Sequence, residues 1–352
     1  MKELSKIYPD SANVEGLYYF DASSAPVRIS GLPWRATNGN WDRLDDRRND
    51  EYNDGLKMLS HNTSGVQISF KTTSEKLGVR VVGVYYHRGM PHMTANANMG
   101  VDVYIGVGIN KKFLNVIHAE PNENDRYGRE IPLGGKEEKE ITLYLPLYSG
   151  IKSFEIGLDR DSSIGEPSPY DFDKPVLFYG SSITQGACAS RPGLSYCNIL
   201  ARKFNFEEID LGFSGCARGE TVIAELIASL DLAAFVYDYD HNAESAEYLE
   251  KTHAPFFGII RNAHPELPVI MVSKADLLYG AEQTKLRRDV IEKTYKDAVA
   301  RGDRKVWFVD GTKIYGDDAD NCTVDGAHPN DLGFRHMVEA IYPALAEALN
   351  ER

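Results

Sequence analysis

Two hydrophobic periods in one chain predict a two-part α/β protein: an antiparallel, jelly-roll-like β-sandwich followed by a five-stranded parallel sheet with helices on both faces. Three observations carry this prediction. Within residues 1–160, several short segments alternate apolar and polar side chains with a period of two. After Pro175, short continuous apolar runs alternate with longer helical stretches. Between the two lies SSIGEPSPYDFDKP at the end of residues 161–175, whose three prolines deny it a helix or a central strand. The expected organisation is therefore residues 1–160, a connection at 161–175, and residues 176–352.

In the first part, VQISFKT sets Val66, Ile68 and Phe70 on one face. EITLYLPLY does the same with Ile141, Leu143 and Leu145, and SFEIGLD with Phe154, Ile156 and Leu158. GVDVYIGV reads as a further strand. Such alternation predicts one buried face and one in water. In the second part, VLFYG, FEEIDLGFSG, LAAFVYDYD, PVIMVSKAD and KVWFVDG read as five buried strands. Helices are expected near residues 194–204, 220–230, 243–263, 281–301 and 331–349. Strand–helix alternation implies right-handed crossovers, and ligand sites in such sheets lie beyond the carboxyl ends of the strands.

Bulk composition narrows the function. With 39 Lys and Arg against 52 Asp and Glu, the chain carries a formal charge of −13. That balance argues against a nucleic-acid partner and against an anionic membrane surface. The N-terminal MKELSKIYPDSANVEG has no apolar core of a secretory signal, so a cytoplasmic location and reduced thiols at Cys188, Cys197, Cys216 and Cys322 are expected. The glycosylation patterns at Asn62 and Asn321 are read as chance matches.

The strand ends hold the chemistry. The first ends in GSSITQG, at Gly180, Ser181 and Ser182. A P-loop would need Lys where Ala187 stands, and an α/β-hydrolase elbow would need a second glycine where Thr184 stands. Taken alone, a capping turn is the simpler reading. The second strand ends in GFSG, where Gly215 is either a turn glycine or a backbone donor open to a ligand. The third ends in DYDHNA, where Asn242 either caps the next helix or turns its amide into the cleft. Asp238, Asp240 and His241 suggest a metal, but strand alternation points them apart. Before the last helix stands DGAHPNDLGF, where Asp325 and His328 can form a turn that aims both side chains at one cleft. Each signal alone has a bland alternative. Together and in order they supply a nucleophile, its base, a carboxylate that orients the base, and three oxyanion donors.

In this combination the chain resembles an SGNH (GDSL-type) hydrolase over residues 175–349. GSSITQG, GFSG, DYDHNA and DGAHPNDLGF correspond to the four family blocks. The resemblance implies a flavodoxin-like three-layer α/β/α fold, with Ser182, Asp325 and His328 catalytic. It also implies an oxyanion hole of Ser182, Gly215 and Asn242, and no cofactor or metal. Ser181 replaces the aspartate of the GDS motif, and Ala243 follows Asn242 where the family usually has Asp. GVDVYIG, around Gly100 to Tyr104, resembles the G-x-D-L-Y signature of a two-domain subgroup with an N-terminal β-sandwich. The implied activity is serine-esterase removal of acetyl or other short acyl groups from an acylated small molecule such as an acetylated oligosaccharide. The same residues would serve an acyltransferase. A sugar-binding sandwich fused to an inert α/β unit is disfavoured by the intact residue set. Tyr85, Tyr86, His87, His92, Trp34 and Trp41 are available to stack on sugar rings or to pack in the core.

Overall fold

The computed structural model describes residues 1–4, 12–14, 16–84, 90–118, 126–275 and 280–350. The N-terminal region forms two antiparallel sheets. One runs Lys2–Glu3, Ser163–Gly165, Gln67–Thr72, Lys139–Tyr144, Val101–Ile105 and Lys112–Ile117, with Arg28–Ser30 also paired to Gln67–Thr72. The other runs Ala12–Val14, Leu17–Asp21, Gly150–Asp159, Lys76–Val84 and Arg126–Pro132. Ser163–Gly165 is a strand inside the stretch read from sequence as irregular. Val66, Ile68, Phe70, Ile141 and Leu143 from the first sheet share one core with Val79, Phe154, Ile156 and Leu158 from the second. The alternating apolar positions thus face inward between two sheets, as their period requires.

The expected wet face is overturned on the first sheet. Gln67, Ser69, Asp102, Tyr104, Thr142 and Tyr144 occupy the alternate positions, yet all are buried. The reason is that this face packs on the C-terminal region. Arg202 lies over the rings of Tyr104 and Tyr144, 4.5 and 5.2 Å from their centroids. Polar alternation here marks an interface between halves of one chain, not a surface in water.

The C-terminal region holds five parallel strands: β1 (Val176–Gly180), β2 (Glu208–Gly212), β3 (Ala234–Asp238), β4 (Val269–Val272) and β5 (Val306–Val309). Their order in the sheet is β2-β1-β3-β4-β5, all parallel. The helices are α1 (Tyr196–Phe204), α2 (Thr221–Ala228), α3 (Ala246–Ala263), α4 (Ala281–Ala300) and α5 (Asp331–Asn350). Two apolar clusters sandwich the sheet. Leu177, Leu211 and Tyr237 contact α2 and α3 through Ile223 and Phe256, while Phe178, Val236 and Ile270 contact α1 and α5 through Leu200 and Ile341. Every residue of β1 to β4 is buried, which is why β1 and β4 read as short apolar runs, whereas β2 also buries the carboxyls of Glu208 and Asp210 and β3 that of Asp238. The reversal of strand order at β1 opens a crevice at its carboxyl end, between β1 and β3.

Trp34 and Trp41 are core residues, each 6% exposed. Tyr85, Tyr86 and His87 lie outside the described residues. Among the described residues no helix is long and apolar enough to cross a membrane.

Candidate active site

Ser182 sits in the tight turn that leaves β1. The turn is held by its backbone: Gln185 N donates to Ser181 O at 3.0 Å, and Ala187 N to Ser182 O at 2.8 Å. Ser181, at the position of the GDS aspartate, accepts the Ile183 N–H on its hydroxyl at 3.2 Å. The substitution therefore keeps an oxygen acceptor at the start of the turn. Gly180 has no room for a side chain, since a Cβ would lie 2.0 Å from Thr184 Oγ1 and 2.2 Å from Asp238 O.

Asp325 and His328 form the turn expected from their spacing. Asp325 Oδ1 accepts the N–H groups of Ala327 and His328 at 3.0 and 2.8 Å, and Oδ2 receives the His328 Nδ1–H at 2.7 Å. Gly326 permits it by taking φ +87°. Partial burial works to raise the Asp325 carboxyl, but these three donors outweigh it and hold the group down at about 2. With Nδ1 engaged, His328 Nε2 faces Ser182 Oγ at 3.0 Å. Ser182, His328 and Asp325 thus form one hydrogen-bonded line across the crevice. His328 and Asp325 side chains are 26% and 36% exposed, so a solute can reach them.

The loop after β2 is tied to this turn. Phe213 N donates to Gly180 O at 2.9 Å, and Ser214 N to Gln185 Oε1 at 3.0 Å. Gly215 takes φ +70° with open space where a Cβ would stand. Asn242 joins the same loop: its Nδ2 donates one N–H to Phe213 O at 3.0 Å. Asn242 is not the helix cap. Ser245 takes that role, accepting from Tyr248 N at 3.2 Å. Bonding of a single N–H to Phe213 leaves the other N–H of that amide for a ligand. Asp238, Asp240 and His241 do not converge on a metal. Asp238 accepts from Tyr196 OH at 3.0 Å, and Asp240 accepts from Lys274 N at 2.8 Å.

Four contributions were not legible in the sequence. Gln185 braces two loops, since its Nε2 also donates to Asn62 Oδ1 and Leu147 O at 3.0 and 3.1 Å. Asn62, fully buried there, is no glycan acceptor. Arg43 of the N-terminal region donates to the carbonyls of Leu59, Asn62, Asp210 and Gly212 at 2.8 to 2.9 Å, and so grips β2 just ahead of the Phe213 loop. His92 brings its ring to 5.3 Å from that of His328. Cys188 places its sulfur beside the His328 ring. All four cysteines are free.

The motif around Gly100 to Tyr104 also gains a physical role. Arg191 Nη1 donates to Asp102 Oδ2 at 2.6 Å and to Tyr104 OH at 2.8 Å, while Gly193 N donates to the same carboxylate oxygen at 2.9 Å. The signature latches the sandwich onto the segment between the Ser182 turn and α1. Gly193 is required there, because a Cβ would come within 2.8 to 2.9 Å of Tyr104 and Asp102.

A flavodoxin-order sheet with Ser, His and Asp in hydrogen-bonded line at its crevice has the layout of a serine hydrolase. Residues 173–346 match the GDSL-like lipase/acylhydrolase family, and residues 17–164 match the N-terminal region of SGNH-type esterases, the GxDLY family. The chain belongs to the SGNH (GDSL-type) hydrolases, in the group that carries this N-terminal sandwich, and is an ester hydrolase. A candidate GDSL-like lipase from Bacteroides ovatus superposes with a TM-score of 0.85 at 29% identity, over 95% of this chain and 98% of that one. The salicylyl-acyltransferase SsfX3 of a tetracycline biosynthetic pathway gives 0.76 at 18% identity, over 95% and 98%. The acetyl xylan esterase Est2A from Butyrivibrio proteoclasticus gives 0.57 at 14% identity, over 95% and 99%. No curated protein matches the sequence.

Proposed function

We propose that the protein is a serine esterase that removes acetyl or other short acyl groups from the hydroxyls of a carbohydrate. The observation that carries this is the hydrogen-bonded line from Ser182 Oγ through His328 to Asp325, with 3.0 and 2.7 Å links. Ser182 Oγ attacks the ester carbonyl while His328 Nε2 takes its proton. The resulting oxyanion rests on the N–H groups of Ser182 and Gly215 and on the free N–H of Asn242. The intermediate collapses, and His328 returns the proton to the departing sugar oxygen. Water, deprotonated by His328, then cleaves the acyl-enzyme to the acid and restores Ser182. Asp325 stays ionised throughout and holds the imidazole in register.

Esterases of carbohydrates among the structural relatives support the substrate class. Release of acetate from acetylated oligosaccharides, faster than release of longer acyl chains from matched esters, is the expected result. Preference for long chains with no acetate release would overturn the substrate assignment. The acyltransferase relative motivates one further arm, since the same residues can deliver the acyl group to another alcohol. Product analysis with and without added alcohols decides it: hydrolysis dominating at modest acceptor concentration supports the esterase.

Asn242→Ala is expected to lower kcat by about 100- to 1,000-fold with little change in KM, the usual cost of one oxyanion donor. Steady-state kinetics on 4-nitrophenyl acetate would show it. A loss below about threefold would remove Asn242 from the oxyanion hole, being far smaller than such a donor is worth.

A further inference from the structure

Residues 90–94 of the N-terminal region cross onto the crevice. Met90 and Met93 pack against the apolar cluster on the α1 and α5 side of the sheet, and Thr94 Oγ1 donates to Ser190 O at 2.7 Å. The segment sets the His92 ring 5.3 Å from that of His328, tilted by 37°. Cys188 closes the third side, from the turn that follows Ser182. An imidazole nitrogen of His92, the Cys188 sulfur and an imidazole nitrogen of His328 all lie within 4.8 Å of one another. Cys188 reaches this place with φ +72°, a conformation that costs a non-glycine residue energy and that the surrounding turn must impose.

We propose that His92, Cys188 and His328 form a binding site for a zinc-type divalent cation, and that its occupation blocks the esterase. Two imidazoles and a thiolate are a donor set suited to a borderline-soft ion. A tetrahedral zinc with bonds of about 2.0 Å to nitrogen and 2.3 Å to sulfur spaces these ligands roughly 3.3 to 3.5 Å apart, so side-chain rotations close the set around it. Water fills the fourth position. Asp325, bonded to His328 Nδ1, orients Nε2 as a metal ligand for the same reason that it orients a base. Binding exchanges the thiol proton of Cys188 for the cation. The proton goes to solvent, the sulfur lone pair forms the metal–sulfur bond, and nothing is oxidised or reduced. His328 Nε2 gives its lone pair to the metal and can no longer accept the Ser182 proton. Blocking rests on the reading of His328 as the base; the site itself does not. Its ligands come from both halves of the chain, so a bound cation also clamps them together.

The test uses the full chain after chelator treatment, as wild type, His92→Gln and Cys188→Ser. With CoCl2 as probe, wild type is expected to develop a near-ultraviolet thiolate-to-cobalt absorption that ZnCl2 abolishes. Cys188→Ser should lack this band, and His92→Gln should need more cobalt to reach it. With ZnCl2, hydrolysis of 4-nitrophenyl acetate should fall and recover on adding EDTA. The zinc concentration for half-inhibition, referred to each protein's own zinc-free rate, should rise by about tenfold or more in both variants, as loss of a ligand implies. Absence of the thiolate band, or its persistence in Cys188→Ser, overturns the site. A band that titrates as expected without loss of hydrolysis overturns the blocking and points to failure of the His328 assignment instead.

Discussion

Ser182→Ala is expected to lower hydrolysis of 4-nitrophenyl acetate by about 10,000-fold or more, the scale of nucleophile loss in serine hydrolases. It should do so without unfolding the protein. The carbonyl of Ser182 supports the turn, accepting from Ala187 N at 2.8 Å and from Tyr148 OH at 3.2 Å, and alanine keeps that carbonyl. The hydroxyl instead points to His328 Nε2. Activity and thermal midpoint should therefore separate. Mass spectrometry after an organophosphonate gives an independent reading: one adduct on Ser182 in wild type, none in the variant. Substantial retained turnover by Ser182→Ala would end the nucleophile assignment.

The second large effect is on stability. Arg43 and Asp210 are fully buried, with Arg43 Nη1 3.5 Å from Asp210 Oδ1. Burial lowers Arg43 to about 10, so it stays charged at neutral pH. Arg43→Met removes that charge and leaves four buried carbonyls short of a donor. Breaking a buried pair in this way costs about 3 to 5 kcal/mol. For a chain of this size that is a fall of roughly 4 to 7 °C in the thermal midpoint. Lysine would not rescue it, because it lacks the planar fork that serves several carbonyls at once. A midpoint within a degree or two of wild type would show that the grip on β2 is dispensable.

The same seam predicts a pH dependence. Desolvation raises Asp210 to about 6 despite Arg43, and raises its buried neighbour Glu208 as well. Desolvation also raises Asp240 to about 6. A carboxyl whose folded value lies above its unfolded value binds its proton more tightly when folded. Its contribution is fully present below the unfolded value and is lost as pH rises through about 6. The thermal midpoint should accordingly rise between pH 7 and pH 5, with a shallower slope in Asp210→Asn. A midpoint that falls steadily over that range would contradict it.

The sequence alone determined whatever a local period or a short turn can encode. Val66, Ile68 and Phe70 announced a strand with one inward face, and VLFYG a strand covered on both sides. Asp325 and His328 are three residues apart, so one turn makes their hydrogen bond and no distant partner is needed. The tertiary structure alone decided what depends on strand order and on how the halves meet. Ser182 and His328 are 146 residues apart, and Arg43 is 167 from Asp210. Gln67, Ser69 and Thr142 show the same limit from the other side. Their polarity read as a wet face, and they are buried because a second region packs on that face. His92 and Cys188 became neighbours of His328 only when the sandwich docked on the crevice. Periodicity records which way a side chain points relative to its own backbone. What it meets there is fixed by the packing of elements distant in sequence.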